Sequence, residues 1–191
     1  MQLNVYIISH PLLQNLAHKI INYQTNKTSN NYTDQANIGQ LMVYEAIRKW
    51  SRNEKMYVKT LHTIKEIQMF HPQDSYILIA DLTHSYDFLS KIPELLPKIH
   101  LIHYNLDIKN TLDHNSNIIQ LATINNNKII IITEFLNNYS IINLLEYLVL
   151  KKHVTLKQIR IICITCHNKI LDKLGQHYPH LHIYTTKIIN T

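Results

Sequence analysis

The chain has 191 residues, 46% of them hydrophobic, and a formal net charge of +6. This composition argues against disorder throughout, and no apolar run approaches the roughly 20 residues that a membrane helix needs. Two cysteines argue against a disulfide framework, and the N-terminal residues lack the pattern of a secretion signal, so we expect neither export nor a membrane partner.

Apolar spacing along the chain predicts helices that alternate with strands. Predicted helices cover residues 10–23, 38–50, 86–96, 140–152 and 167–178. Predicted strands cover residues 75–82, 98–106, 118–123, 127–133, 158–165 and 180–188, with one or two more inside 56–70. Polar loops are expected at residues 25–35 and 107–117.

This alternation predicts βαβ units, and therefore an α/β fold with a mostly parallel central sheet flanked by helices. We find no repeat or linker, so residues 1–191 are expected to form a single domain. Ligands of such sheets bind beyond the carboxyl ends of the strands. Two segments are therefore candidates for function, Asp81–Asp87 and Thr133–Ser140.

The segment Thr133–Ser140 joins a run of isoleucines to a predicted helix. A strand, a short loop and a helix form a common phosphate-binding arrangement, because the helix N-terminus presents free N–H groups. Such loops usually contain glycine, and this one has none. The whole chain has only 2 glycines, and its richness in Ile, Asn, Lys and Tyr indicates AT-rich codons. The loop is a phosphate site, the remains of one, or an ordinary connection.

Short motifs in collinear order resemble the uracil phosphoribosyltransferase family. The segment HPLLQ is similar to the family's N-terminal His-Pro-Leu motif, and PELLPKIHLIHY to its Leu-Glu-Leu-(hydrophobic)-Pro stretch. The resemblance implies a phosphoribosyltransferase type I fold. Further matching residues are Tyr44, Glu45, Ala46 and Arg48 in the second predicted helix, and Pro179, Ile183, Tyr184 and Thr185 near the end.

Both candidate segments depart from the family pattern. The family's phosphoribosyl diphosphate (PRPP) loop reads Asp-Pro-(two residues)-Ala-Thr-Gly-Gly-Ser, whereas this chain has Thr133 at the aspartate and lacks both glycines. Tyr139 stands where the backbone approaches phosphate, and only Ser140 is kept. In the second segment the family's arginine is replaced by Thr83, and two carboxylates have been introduced, at Asp81 and Asp87.

The resemblance implies an ancestral reaction in which uracil and PRPP give UMP and diphosphate, in pyrimidine salvage. The sequence ends before the family's glycine-rich uracil-binding segment, so we expect a catalytically inactive homologue and assign no catalytic residue and no metal ligand. If PRPP still binds, Mg²⁺ would accompany it, with Asn137, Asn138 and Ser140 as anion donors. The residues of this degenerate site would be Thr133, Glu134, Asn137, Asn138 and Ser140, with Thr83, His84 and Ser85 from the second segment.

Other features leave alternatives open. Cys163, Cys166 and His167 match the C-x-x-C-H pattern of haem attachment, but a strand should point the two cysteines to opposite faces, which favours core cysteines over haem, zinc or redox roles. His180 and His182 would share a strand face and permit a metal, or are ordinary surface residues. Glu45 and Arg48 are a surface ion pair, or part of a subunit contact or scaffold.

Three further hypotheses concern partners and location. The basic charge permits an RNA-binding regulator on the same fold, provided that the Lys and Arg residues form one face. A further hypothesis is a dimer-forming partner that modulates an intact enzyme, which an exposed apolar patch on the helix Ile38–Trp50 would favour; a homodimer is a related candidate. The AT-rich character predicts a protein encoded in a plastid, with a cytoplasmic location as the alternative.

Overall fold

The computed structural model describes residues 3–23, 31–96, 98–104 and 127–190. Six strands form one sheet, and two more form a separate antiparallel pair. The sheet strands are β1 (Asn4–Ile7), β4 (Ser75–Ala80), β5 (Ile99–His103), β6 (Asn127–Leu136), β7 (Ile159–His167) and β8 (His182–Ile189), and the separate pair is β2 (Asn53–Lys59) and β3 (Ile64–Phe70).

Helices alternate with these strands along the chain. They are α1 (Pro11–Tyr23), α2 (Asn31–Ile47), α3 (Leu82–Leu89), α4 (Ser140–Glu146) and α5 (Asn168–His177). A π-helical segment, Tyr147–Lys151, continues α4, and short 3₁₀ turns cover Ile92–Glu94 and Leu156–Gln158. In the part of the chain that the structure describes, no helix has the length and apolarity to cross a membrane.

The sheet has the strand order β1-β8-β7-β6-β4-β5, and every neighbouring pair is parallel. The helices α1, α2 and α3 cover one face, while α4 and α5 cover the other. This arrangement confirms the predicted α/β fold of the phosphoribosyltransferase type I kind. The prediction succeeded because parallel strands buried on both faces must be continuous apolar runs, and those runs are visible in the sequence.

The central strand β6 shows how the core is built. Its isoleucines Ile129 and Ile131 enter the cluster under α4 and α5, whereas Ile130 and Ile132 enter the cluster under α1, α2 and α3. All four are buried. Each buried isoleucine contributes about 1.5–3 kcal/mol of apolar burial, so this strand joins the two halves of the core.

The alternation of side chains between the two faces shifts by one residue near the carboxyl end of three neighbouring strands. In β6, Phe135 packs on the α2 face and Leu136 on the α4 face, the reverse of what the isoleucines predict. Cys166 of β7 and Ile188 of β8 show the same reversal. The pairing of the three strands stays in phase on both sides of the shift. The three strands therefore change phase together.

Several predicted boundaries were wrong. The polar loop at 25–35 was placed too far along the chain, because α2 already begins at Asn31. The helix predicted at 86–96 is instead α3 followed by a 3₁₀ turn, because the carboxylate of Asp81 caps a helix that begins at Leu82, and Pro93 lies in the turn. The predicted loop at 107–117 and strand at 118–123 lie outside the described residues.

The helices α2 and α3 pack together closely at Gly39, one of the chain's two glycines. A Cβ atom at this position would overlap the backbone carbonyl of Phe88, whereas a Cβ at Gly175 would meet only the Cβ of Leu3, at 3.7 Å. Gly39 therefore has a packing role that no larger residue would fill without moving a helix.

A group of charged side chains is buried at the amino-terminal edge of the sheet. Asp74 accepts hydrogen bonds from Lys128 and, at 2.8 Å, from Arg52. Burial alone would raise the pKa of Asp74, but these hydrogen bonds outweigh it and lower the pKa. Arg160 lies nearby on β7, donates to the carbonyl of Ala46, and has its guanidinium 4.2 Å from the ring centre of Trp50. Lys128 and Arg52 therefore compensate the buried charge of Asp74, whereas Arg160 is held by a carbonyl group and an aromatic ring.

The hairpin formed by β2 and β3 is exposed on both faces. The strand register places Met56 opposite Ile67 and Glu54 opposite Met69, with Val58 opposite Lys65 at the far end. These residues share one face, which is apolar at its centre and charged at its two ends. The opposite face carries an ion pair between Lys55 and Glu66, at 2.7 Å.

Candidate functional site

The two candidate segments meet at the carboxyl edge of the sheet. The strands β4 and β6 are hydrogen-bonded neighbours, and their register pairs Ala80 with Ile132. Asp81 and Thr133 therefore follow the two strands side by side. Parallel strands create this proximity, and it places the segments where α/β proteins bind ligands.

The segment Asp81–Asp87 is the start of a helix rather than a loop. Asp81 is buried, and its carboxylate accepts a hydrogen bond from the N–H of Thr83 at 3.0 Å. The N–H of Leu82 donates to the ring of His103 at 3.1 Å. The N–H groups of His84 and Ser85 donate to the carbonyl of Asp81. The first four N–H groups of α3 thus have acceptors within the protein.

The other segment is shorter than predicted, because β6 continues to Leu136. The hydroxyl of Thr133 donates to the carbonyl of Phe135, and the side-chain oxygen of Asn138 accepts from the N–H of Ser140 at 3.2 Å. Tyr139 precedes α4, and the ammonium of Lys173 lies 4.0 Å from its ring centre. Of the predicted anion donors, the backbone N–H of Ser140 is therefore already bonded within the loop, and Asn137 is exposed.

Ser140, the one residue kept from the family's loop, is buried. Its hydroxyl has no hydrogen-bond partner among the residues that the structure describes. A buried hydroxyl without a partner costs free energy, so this position is unfavourable as a purely structural one.

Glu134 dominates the electrostatics of the site. Burial and, to a smaller extent, the negative charge of Asp87 together raise its pKa from an ordinary 4.5 to about 7. The amide of Gln35, from α2, donates to one carboxyl oxygen of Glu134 at 3.3 Å. Within the described residues, no lysine or arginine forms an ion pair with either carboxyl group. Three elements thus bring two carboxyl groups and an amide together.

The negative charge of this arrangement favours neutral or cationic ligands over anionic ones. Near neutral pH about half of the Glu134 side chains carry a proton, and Asp87 adds negative charge. A diphosphate would therefore meet negative potential at these two carboxyl groups, which form no ion pair within the described residues. Mg²⁺ binds ionised oxygen ligands, which a half-protonated carboxyl supplies poorly, and the described residues contain no cluster of three metal-ligating side chains.

Gln35 is the part of this site that we did not predict from the sequence. It lies in a segment predicted to be a loop, about 100 residues before its partner, and a single glutamine carries no motif. The signal available was the helix start: Asp34 follows Asn31 by three residues, in the first turn of α2.

The cysteines and histidines take ordinary structural positions. The prediction that Cys163 and Cys166 point to opposite faces was wrong, because the phase shift in β7 turns both into the same apolar cluster. Both thiols are buried, and they donate to carbonyl oxygens of β8 at 3.8 Å. His182 stacks against Tyr6, with ring centres 5.6 Å apart, and His167 precedes α5.

The segment Ile38–Trp50 does not carry an exposed apolar patch, the feature that would favour a dimer-forming partner through this helix. Its side chains Ile38, Met42, Val43 and Ala46 are buried against the sheet, and of its large apolar residues only Tyr44 is well exposed. Glu45 and Arg48 form an ion pair at 3.5 Å with the arginine side chain largely exposed, which agrees with the surface interpretation.

Comparison with known proteins tests the resemblance directly. The model of the family described as "Uracil phosphoribosyltransferase" matches residues 7–190. A protein of Porphyra purpurea named "Uracil phosphoribosyltransferase homolog" is 31% identical over 98% of this chain and 89% of its own length. A protein of Pyropia yezoensis with the same name is 30% identical over the same shares of the two chains.

Among solved structures, the AQ2163 protein from Aquifex aeolicus has the same fold. The two superpose with a TM-score of 0.70 over 97% of this chain and 88% of that one, at 14% identity. That likeness supports the fold alone. The family match covers nearly the whole chain, and the curated relatives are similar along their length. The chain therefore belongs to the uracil phosphoribosyltransferase family.

Proposed function

We propose that this chain is a uracil phosphoribosyltransferase homologue that has lost the transfer of uracil to PRPP. The observation that carries the proposal is Glu134, a buried carboxyl beside Asp87 in the segment that corresponds to the PRPP loop. The ancestral reaction needs the diphosphate held as a leaving group. Two carboxyl groups that form no ion pair within the described residues oppose that requirement.

The hydrogen bonds of the two segments support the same conclusion. A diphosphate site offers backbone N–H groups to the ligand. Here the N–H groups at the start of α3 are bonded to Asp81 and His103, and that of Ser140 is bonded to Asn138. A PRPP molecule would have to break these bonds before it gained any of its own. Loss of one well-placed donor to a developing anion costs about 3 kcal/mol, and several are engaged here.

Calorimetric titration with PRPP and Mg²⁺, and separately with UMP, tests the proposal. We expect no saturable binding of PRPP by the natural protein. A matched pair of variants then examines the reason. Glu134→Gln combined with Asp87→Asn removes the negative potential while keeping the side-chain shapes, and should improve PRPP binding. Glu54→Gln combined with Asp172→Asn makes the same chemical changes elsewhere and should not.

Saturable micromolar binding of PRPP by the natural protein would contradict the proposal. Formation of UMP from uracil and PRPP would refute it outright. If only the carboxyl-free variant bound PRPP, the site would have kept its shape while its charge had changed.

A protein-binding role is the second candidate, and the hairpin β2–β3 is the observation that favours it. A two-stranded hairpin is only marginally stable on its own in water, so we expect its exposed apolar face to pack against another surface. We propose that this surface is the same hairpin face of a second copy of this chain. A two-fold axis through the centre of the face would bring Met56 and Ile67 of the two copies together.

The charges at the ends of this face suit such an axis. Glu54 lies at one end and Lys65 at the other, so a two-fold axis in the plane of contact and perpendicular to the strands would bring Glu54 of each copy near Lys65 of the other. Sedimentation equilibrium of the natural protein should give a dimer. Met56→Gln with Ile67→Gln should give a monomer, whereas Tyr57→Gln on the opposite face should leave the dimer intact. A monomeric natural protein would refute this assembly.

We also propose that the protein acts in a plastid. The AT-rich composition and the relatives from two red algae support this location. Immunogold labelling of the source cells would test it, and a purely cytoplasmic signal would overturn it.

A further inference from the structure

A cavity lies beside β1, an edge strand of the sheet. Its volume is about 510 Å³, which is within the range of small-molecule sites. The strand β1, the start of α1 and the end of α2 surround it. The polar and aromatic side chains that line it are Tyr6, His10, Glu45, Arg48, Lys49 and Tyr184.

Stacked aromatic rings form one wall of this cavity. Tyr6 and Tyr184 are paired across β1 and β8, with ring centres 4.8 Å apart and planes inclined by 17°. Because β1 is an edge strand, no further strand among the described residues covers the outer side of the Tyr6 ring, and Tyr6 is 43% exposed. A planar ligand would extend this stack by one ring.

Basic side chains form another part of the cavity wall. Arg48 shares its charge with Glu45, at 3.5 Å, while Lys49 forms no ion pair within the described residues. The first turn of α1 contains no acidic residue and follows His10, which also lines the cavity. The wall therefore has a positive balance, which suits an anionic group.

A buried cation reinforces this potential from behind the rings. The guanidinium of Arg160 lies 5.5 Å from the ring centre of Tyr184, and Arg160 is more than nine-tenths buried. Its Nε–H has no acceptor and its charge no carboxylate partner among the described residues. A buried positive charge without a counter-ion favours an anion nearby.

We propose that this cavity binds a nucleoside monophosphate, with the base stacked on the outer face of Tyr6 and the phosphate held by Arg48 and Lys49. The strands β7 and β8 separate it from the candidate site at β4 and β6, by roughly three strand spacings or 14 Å. The proposal is independent of whether PRPP binds. The same chemistry occurs in a free nucleotide and at a phosphorylated RNA end.

Calorimetry with AMP tests this site without probing the family's product, UMP. The natural protein should bind AMP saturably. Tyr6→Ala should weaken binding about tenfold or more, because it removes the stacking ring, and Tyr6→Phe should retain it. Arg48→Gln with Lys49→Gln should weaken binding and reduce its dependence on salt. Tyr57→Ala and Lys59→Gln, on the exposed hairpin, are the matched controls and should bind as the natural protein does.

Two results would overturn the proposal. One is the absence of saturable AMP binding by the natural protein. The other is an unchanged affinity for AMP in the double variant Arg48→Gln and Lys49→Gln. Both positions are exposed, so this variant should fold and the test remains valid even if Tyr6→Ala unfolds the protein. A short single-stranded oligoribonucleotide, with and without a 5′-phosphate, then separates the sources. If the phosphorylated oligoribonucleotide binds more tightly than AMP, the natural ligand is a phosphorylated RNA end. If it binds more weakly than AMP, the natural ligand is a free nucleotide.

Discussion

Glu134→Gln should make the protein more stable above neutral pH. The natural carboxyl is buried, and its pKa is raised from 4.5 to about 7. A raised pKa means that the folded state binds a proton more tightly than the unfolded state. The stability linked to this proton is complete below about pH 4.5 and is lost as the pH rises through 7. Glutamine is neutral throughout and keeps an acceptor for Gln35.

The size of the effect follows from the pKa. A shift from 4.5 to about 7 corresponds to about 3 kcal/mol of free energy of unfolding. We therefore expect the natural protein and the variant to converge near pH 4.5 and to differ by about 3 kcal/mol near pH 8, with the variant more stable.

Urea unfolding at a series of pH values measures this difference. The chain has a single tryptophan, Trp50, whose ring lies beside Arg160 in the interior, so its fluorescence should report unfolding. Many other groups titrate over the same range, and only the difference between the two proteins isolates Glu134. Glu94→Gln removes an exposed carboxyl and controls for the loss of charge as such.

Parallel stability profiles between pH 4.5 and 8 would refute the reasoning. They would mean that Glu134 is solvated or paired in solution, and the argument that its segment repels diphosphate would then lose its main support. Asp87→Asn should narrow the difference between the profiles without abolishing it, because burial contributes more to the shift than Asp87 does.

Two further predictions concern the scaffold. Gly39→Ala should lower the free energy of unfolding by about 3 kcal/mol, because a Cβ at this position overlaps the backbone of α3. Gly175→Ala should raise it by up to about 1 kcal/mol through the higher helix propensity of alanine. Equal effects of the two variants in thermal unfolding would contradict the close packing at Gly39. Lys128→Met should lower the free energy of unfolding by about 3 kcal/mol, because it leaves the buried carboxylate of Asp74 with one partner. Arg52→Met should lower it clearly less, since the Arg52 side chain is 53% exposed. The reverse order in urea unfolding would contradict the assigned pairing.

The sequence was informative where one physical rule decides the structure. Strands buried on both faces must be apolar throughout, so runs such as Ile129–Ile132 identified the parallel sheet. The carboxyl edge of that sheet followed from topology, which placed the segments after β4 and β6 together before any side chain was known.

Where several rules compete, the sequence was less informative. The cap at Asp81 was visible as a residue type, but the following leucine and threonine gave no reason to begin a helix there instead of at Tyr86. The meeting of Gln35 with Glu134 depends on the packing of α2 over the sheet, which no local pattern encodes. The exposed face of the hairpin was equally hidden, because its alternation is the same whether or not the face is covered.

The concerted phase shift in β6, β7 and β8 has a consequence for how this family changes over time. Because the three strands stay in register across the shift, one strand cannot lose it without breaking its bonds to the next. The carboxyl ends of the three strands can therefore change conformation only together, whereas the residues of the loops that follow them can be substituted individually. A binding edge built in this way keeps its shape when the side chains around it are substituted, and so can accommodate a different ligand.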